Sequence, residues 1–209
     1  VGAELEAANA ALPVELRHNP SESPLPPYYP ETPIVHENVA AYYTQITRMD
    51  LDTGKKLREL EEAGLAEDTI VFFYSDHGAG LPRGKRWLHV SGTHVPLMIR
   101  FPKKYAHLAP APPGGTVDEF VCFADLAPTM LSLVDLDIPD YMQGRAFLGE
   151  NKAPAPQYVF ATGDRVDEVI ACSRMVFDGR YQFIKNFLPH RPRMPRSWFS
   201  EPTQIRQEV

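Results

Sequence analysis

Residues 69–80 read TIVFFYSDHGAG, an apolar run that stops abruptly at Ser-Asp-His-Gly. TIVFFY is apolar on both alternating faces, the pattern of a strand covered by helices on each side of a parallel sheet. Upstream, in ENVAAYYTQITRMDLDTGKKLRELEEAGL, Val39, Tyr43, Ile46, Met49, Thr53, Leu57 and Leu60 recur at spacings of three and four. That stripe predicts one long amphipathic helix over residues 37–63, with Gly64 as its C-terminal stop. Helix, short loop, buried strand and polar loop is α/β order. In open α/β sheets ligands collect just beyond the carboxyl ends of strands, and SDHGAG occupies that place.

The rest of the chain fills in this frame. Residues 13–33 carry seven prolines, which excludes helix and central strand and predicts an extended surface connection. VPLMIRFP (residues 95–102) reads as a second apolar strand, a near neighbour of the first in a mainly parallel sheet with the helix packed on its face. TVDEFVCF reads as a third strand. DLAPTMLSLVDL reads as a helix capped by Asp125, with Pro128 in the first turn where its missing N–H does no harm. After a Pro/Gly-rich stretch (139–156), VIACSRMVF and RYQFIKNF flank Asp178-Gly179, a two-residue hairpin signal that predicts a separate antiparallel layer.

Proline is the compositional outlier, 21 of 209 residues, against a usual share of about 5%. Aromatic residues stay plentiful between the prolines, so ordered loops rather than disorder are expected. A formal charge of −6 without a Lys/Arg cluster disfavours a nucleic-acid or anionic-membrane partner. No apolar run reaches the ~18 residues of a membrane span. Cys122 and Cys172 stand in apolar surroundings and read as small buried residues.

Asp76 and His77 admit two readings. One is a strand-ending turn in which Asp76 accepts from nearby backbone N–H groups. The other is a metal site, with Gly78 letting the backbone turn so that two successive side chains converge. A carboxylate oxygen and an imidazole nitrogen suit a divalent cation, but calcium alone takes about 6–8 oxygens. Lys85, after Gly84, is either a solvated loop lysine or a point charge for an oxyanion beside the metal. His89 and His94 are structural or additional ligands.

DTIVFFYSDHG, then GK, GTHVPLMIRFP and DLAPTMLSLVDLDIPDYMQGRAFLG, in this order and spacing, resemble the sulfatase family of the alkaline-phosphatase superfamily. The resemblance runs from about residue 25 to about 195. GDRVDEV and GRYQFIKNFLPHRP resemble sulfatases of the sulfamidase and heparan-sulfate type. It implies an α/β fold: an alkaline-phosphatase-like, mainly parallel sheet flanked by helices, present in part, then a small antiparallel C-terminal subdomain. Residues 1–150 would be the C-terminal part of the catalytic domain and 151–209 the start of the smaller subdomain.

By the same resemblance Asp76 matches the family's metal-binding aspartate, and Lys85 matches the lysine that contacts the sulfate and the nucleophile. His77 stands where many sulfatases have Asn and some, of the choline-sulfatase-like and phosphonate-hydrolase-like type, have His. His94 stands where Arg is common and Thr93 also departs from the pattern. Arg165, with Asp164, and His190 fall in the segments most like glycan-directed sulfatases and are expected to line the substrate side. The resemblance further implies a divalent metal, Ca2+ first with Mn2+ or Mg2+ as alternatives, a sulfated carbohydrate substrate, and a periplasmic, secreted or lysosomal location.

One departure governs the chemistry. Sulfatases oxidise a cysteine or serine in Cys/Ser-x-Pro-x-Arg to formylglycine, and no Cys or Ser here is followed by that pattern. The expectation is therefore a fragment lacking the N-terminal half of the same enzyme, with one flank of the active site and no activity of its own. Two rivals stand beside it: a phosphodiesterase or phosphonate monoester hydrolase on the same fold, and a catalytically inactive remnant with a binding role.

Overall fold

The computed structural model describes residues 2–166 and 169–191. Asp167 and Glu168 of GDRVDEV, and everything from residue 192 on, lie outside the described residues. The elements are α1 (Gly2–Ala10), α2 (Pro33–Glu62), β1 (Val71–Tyr74), α3 (Val90–Thr93), β2 (Leu97–Arg100), α4 (Leu126–Leu133), β3 (Val159–Val166), β4 (Val169–Phe177) and β5 (Gln182–Asn186).

The long helix forms as its spacing predicts, started by Pro33 in the first turn and followed by Gly64 at φ 70°. Its packing differs from expectation. Only its first turns are deeply buried: Val35 and Val39 join Tyr29 and Leu81 in a core bordered by Leu25, Ile34, Tyr42, Tyr43 and Ala79. Ile46, Met49 and Leu57, further along the stripe, are exposed. Among the described residues the helix thus packs on α1, on the proline-rich segment and on the loop after β1, rather than on a sheet face. That segment contains only 3-10 turns at Val14–Leu16 and Pro20–Glu22, yet it is no mere surface strap, because Tyr29 enters the core.

β1 and β2 are direct neighbours, Phe72 opposite Ile99 and Tyr74 opposite Leu97, but they run antiparallel. The parallel pairing expected from two-sided apolarity is corrected by the connection between them. Ser75 N–H donates to the Pro96 carbonyl (3.4 Å) and Gly78 N–H to that of Gly92 (3.2 Å), so the loop's two ends are drawn together below the ladder. A parallel pair would need those residues as a crossover over the sheet. Tyr74 and Met98 stay exposed.

TVDEFVCF is not a strand, since its backbone groups are taken by side chains. The Arg145 guanidinium donates to the Phe120 carbonyl (2.6 Å) and the Asp125 carboxylate accepts from Cys122 N–H (3.0 Å). Asp125 also accepts from Arg145 N–H (2.9 Å), so it staples two segments instead of capping α4. Pro128 does lie in the first turn of that helix, buried. Cys122 is exposed and Cys172 half-buried, contrary to their reading as buried residues.

β3, β4 and β5 form the separate antiparallel sheet. The turn runs over residues 178–181, with Asp178 Oδ1 accepting from Arg180 and Tyr181 N–H, and Gly179 at φ 95°. The sheet leans on the loop after β1: Gln182 Nε2 donates to the Leu88 carbonyl (2.8 Å), and a side chain at Gly163 would touch Leu88.

Glu119 and Arg145, both largely buried, form an ion network with the exposed Lys152, the Glu119 oxygens lying 2.8 Å from Arg145 and 3.0 Å from Lys152. Burial pushes the Glu119 carboxyl up, but the hydrogen bonds and charges of Lys152 and Arg145 hold it below its ordinary value on balance. A depressed carboxyl contributes stability above its unfolded value, about 4.3, and loses it as pH falls through the folded value. Glu119→Gln is expected to cost about 2–4 kcal/mol at pH 7. In thermal unfolding from pH 7 to 3.5, the gap between wild type and variant should narrow in acid; a gap constant with pH contradicts this.

Candidate active site at the carboxyl end of the first strand

β1 delivers Ser75, Asp76, His77 and Gly78 into a loop closed by three interlocked glycines. A Cβ at Gly78 would stand 2.0 Å from the Ser91 carbonyl oxygen, one at Gly84 2.1 Å from that of Ala79, and one at Gly92 2.2 Å from that of Gly84. Each contact is with backbone, so only hydrogen fits. Lys85 N–H donates to the Ala79 carbonyl (2.7 Å) and Trp87 N–H to that of Gly84 (3.1 Å). The strand end, the lysine segment and α3 are therefore one body.

Asp76 and His77 converge within that body. His77 Nδ1 lies 2.7 Å from the Gly78 carbonyl oxygen, which can only accept, so Nδ1 donates to it and Nε2 is the nitrogen turned outward. Nε2 is 3.4 Å from Asp76 Oδ1. An oxygen and a nitrogen at that separation could both be ligands of one divalent ion. The donor pair, one oxygen and one nitrogen with a backbone carbonyl fixing the ring, fits one edge of a divalent-cation shell. Asp76 is 84% exposed, leaving its carboxylate open to further partners. Among the described residues no third His, Cys, Asp or Glu completes the set, so His89 and His94, which bracket α3 as its end residues, do not join the pair.

Lys85 is half-buried, flanked by two left-handed residues, Arg83 at φ 66° and Arg86 at φ 76°. No carboxylate pairs with its ammonium among the described residues. Non-glycine residues in that region are strained and collect where a loop must aim a side chain. Asp76, His77 and Lys85 thus share one rigid loop.

Arg165 and His190 are both exposed and both belong to one end of the small sheet. Arg165 pairs with Ile170 beside a register irregularity, and Arg191, next to His190, donates to the Ile170 carbonyl (3.3 Å). Asp164 is engaged by Arg174 at 2.5 Å. A cleft of about 410 Å3 bordered by Arg17, His18, Glu22 and Tyr43 shares no residue with the loop after β1. The sequence reading missed Tyr28 and Tyr29, which grip the lysine loop. The only signal was an aromatic pair inside a proline-rich stretch.

Known proteins resemble this chain in sequence and in fold. The family model described as Sulfatase matches residues 8–136. An "Ulvan-active sulfatase" from Formosa agariphila is 41% identical over 167 residues, 80% of this chain and 27% of that protein. The human "N-sulphoglucosamine sulphohydrolase" is 35% identical over 124 residues, 59% of this chain and 24% of that protein. The chain thus spans about a quarter of those relatives' length. Among solved structures, yidJ from Bacteroides fragilis superposes with a TM-score of 0.61 at 22% identity, covering 89% of this chain and 40% of the other. A second, in complex with its substrate D-glucosamine-2-N,6-O-disulfate, gives 0.59 at 18% identity, covering 75% and 34%. Both establish the fold.

Proposed function

This chain belongs to the sulfatase family, and on that premise we propose that the protein carrying it is a metal-dependent sulfatase acting on a sulfated glycan, on sulfate esters or N-sulfate. The observation that carries the reading is the pair of Asp76 Oδ1 and His77 Nε2, 3.4 Å apart at the end of β1, in a body that also holds Lys85. When bound, a divalent cation (Ca2+, or Mn2+ or Mg2+) supplies Lewis-acid neutralisation of sulfate oxygens. Asp76 and His77 are two of the residues that would hold it. Gly78, through its carbonyl, keeps the His77 ring turned with Nε2 outward. Lys85 presents a fixed positive charge to oxygen that gains charge as the sulfuryl group transfers. The nucleophile, a formylglycine in the family, has no Cys/Ser-x-Pro-x-Arg among these 209 residues, so this reading assigns it elsewhere in the protein.

The names of the relatives, which point to ulvan and an N-sulfated glucosamine, favour a glycan over a small aryl ester as the natural target. Arg165 and His190 then serve the substrate side, which their common end of the small sheet supports. His77 favours one second reading, a phosphodiesterase or phosphonate hydrolase, because imidazole suits Mn or Zn better than Ca. The test is release of sulfate by the protein carrying this chain, from ulvan oligosaccharides and N-sulfoglucosamine, beside an aryl phosphodiester. Sulfate release that exceeds phosphodiester cleavage is the expected result, and the reverse order overturns it. Arg165→Ala should raise KM for a sulfated sugar by about tenfold and leave an aryl sulfate unchanged; equal effects on both remove Arg165 from the substrate side.

A further inference from the structure

We propose that Tyr28 and Tyr29 are positioning residues for Lys85, a two-tyrosine clamp that holds the strained lysine loop in its active shape. The inference rests on the reading of Lys85 as a group that meets the transferring sulfate, and adds a second hold on its loop beside the glycines.

The loop needs such a device. Arg83 and Arg86, either side of Gly84-Lys85, sit at φ 66° and 76°, a conformation disfavoured for any residue with a side chain. Left alone, the segment would relax toward ordinary backbone and swing Lys85 with it. The glycine lock fixes Gly84 and the Lys85 N–H from one side only. From the other side two tyrosines reach in across more than fifty positions of sequence. The Tyr29 hydroxyl donates to the Pro82 carbonyl (2.5 Å), in a buried hydrogen bond. Tyr28 lies under Arg83, whose guanidinium carbon is 4.7 Å from the ring centroid. The Arg83 Nε is buried without a hydrogen-bond partner, so the ring face is what receives that cation. The two tyrosines brace each other edge to face at 4.8 Å, and the Arg83 carbonyl accepts from Ser91 Oγ (2.6 Å). Pro82 and Arg83 are thereby fixed at carbonyl, carbonyl and side chain, two residues before Lys85.

The anchoring end is stiff. Tyr29 belongs to the core with Val35 and Val39 at the start of α2, so the clamp ties Lys85 to a buried cluster. Tyr28 is partly exposed, which lets it be changed without opening that core.

The experiment uses the protein carrying this chain, with a small aryl sulfate as probe. Tyr28→Ala is expected to lower kcat roughly tenfold with KM little changed, since misplacement of a charge-stabilising group acts on the transition state. Tyr28→Phe, which keeps the ring face, should restore it. Tyr29→Phe, which removes one hydroxyl, should lower kcat in the same direction. In a Lys85→Ala background, Tyr28→Ala should have no further effect, because there is no lysine left to misplace. Independently of activity, trypsin should cut after Arg83, Lys85 or Arg86 faster in Tyr28→Ala than in wild type or Tyr28→Phe, read by mass spectrometry. Additive losses in the Lys85→Ala background, or unchanged cleavage in the loop, overturn the clamp. If Lys85→Ala itself leaves turnover intact, the reading of Lys85 fails, and tryptic cleavage still decides whether the tyrosines hold the loop.

Discussion

Alanine at Gly92 is expected to destabilise the fold by about 3 kcal/mol and to lower activity by displacing the lysine loop. Its Cβ would lie 2.2 Å from the Gly84 carbonyl oxygen and 2.3 Å from that of Trp87. Overpacking of this kind costs about 1–3 kcal/mol even where side chains can yield, and here both obstructions are backbone. Relief requires the lysine loop to move away from α3, which breaks the register that places Lys85 against Ala79. For a chain of this size each kcal/mol lowers the melting temperature by about 2–4 °C, so a fall of roughly 6–12 °C is expected. Gly163 provides the contrast: its Cβ would meet only the Leu88 side chain, at 3.5 Å, an ordinary contact. Gly163→Ala should therefore melt within about 2 °C of wild type. Thermal unfolding of both variants decides this; a Gly92→Ala protein as stable as Gly163→Ala shows that the three glycines do not lock the loop.

Local chemistry made some of this legible in the sequence, and nonlocal hydrogen bonding hid the rest. The 37–63 helix, the VFFY and LMIR strands and the hairpin near Asp178-Gly179 follow from spacing and turn residues, which are properties of a few neighbouring positions. The direction of β1 against β2 depends instead on Ser75 bonding to Pro96 and Gly78 to Gly92, pairings that no periodicity encodes. TVDEFVCF has strand composition, but Arg145 and Asp125 claim its backbone groups from elsewhere in the chain. Exposure of Ile46, Met49 and Leu57 likewise follows from what the helix meets, not from its own pattern. Asp76 and His77 stand out as candidates because a strand end followed by glycine is a local signal, whereas Lys85 becomes one only through the family resemblance. Their union in one loop needed Gly92, which is silent until its carbonyl contacts are seen.

Loss of the Asp76 carboxylate is expected to be the most damaging single change to the chemistry. In Asp76→Ala, His77 Nε2 loses the oxygen 3.4 Å away, and the remaining imidazole is one neutral donor with no anionic companion among the described ligating groups. Charge on the ligand set dominates affinity for hard divalent cations. Loss of an outer-shell partner already costs about 10–100-fold in metal affinity or activity, so loss of this carboxylate should cost at least a hundredfold in both. His77→Asn is a milder change, since it exchanges a nitrogen for an amide oxygen and leaves the net charge alone. Oxygen donors suit calcium and imidazole suits manganese or zinc, so the variant should bind Ca2+ as well as wild type does and Mn2+ less well. Calorimetric titration of the protein carrying this chain with each ion, beside turnover of an aryl sulfate, reads both effects. Unchanged metal affinity in Asp76→Ala would leave the Asp76–His77 pair as a strand-ending turn, and the cation would have to be held by other residues.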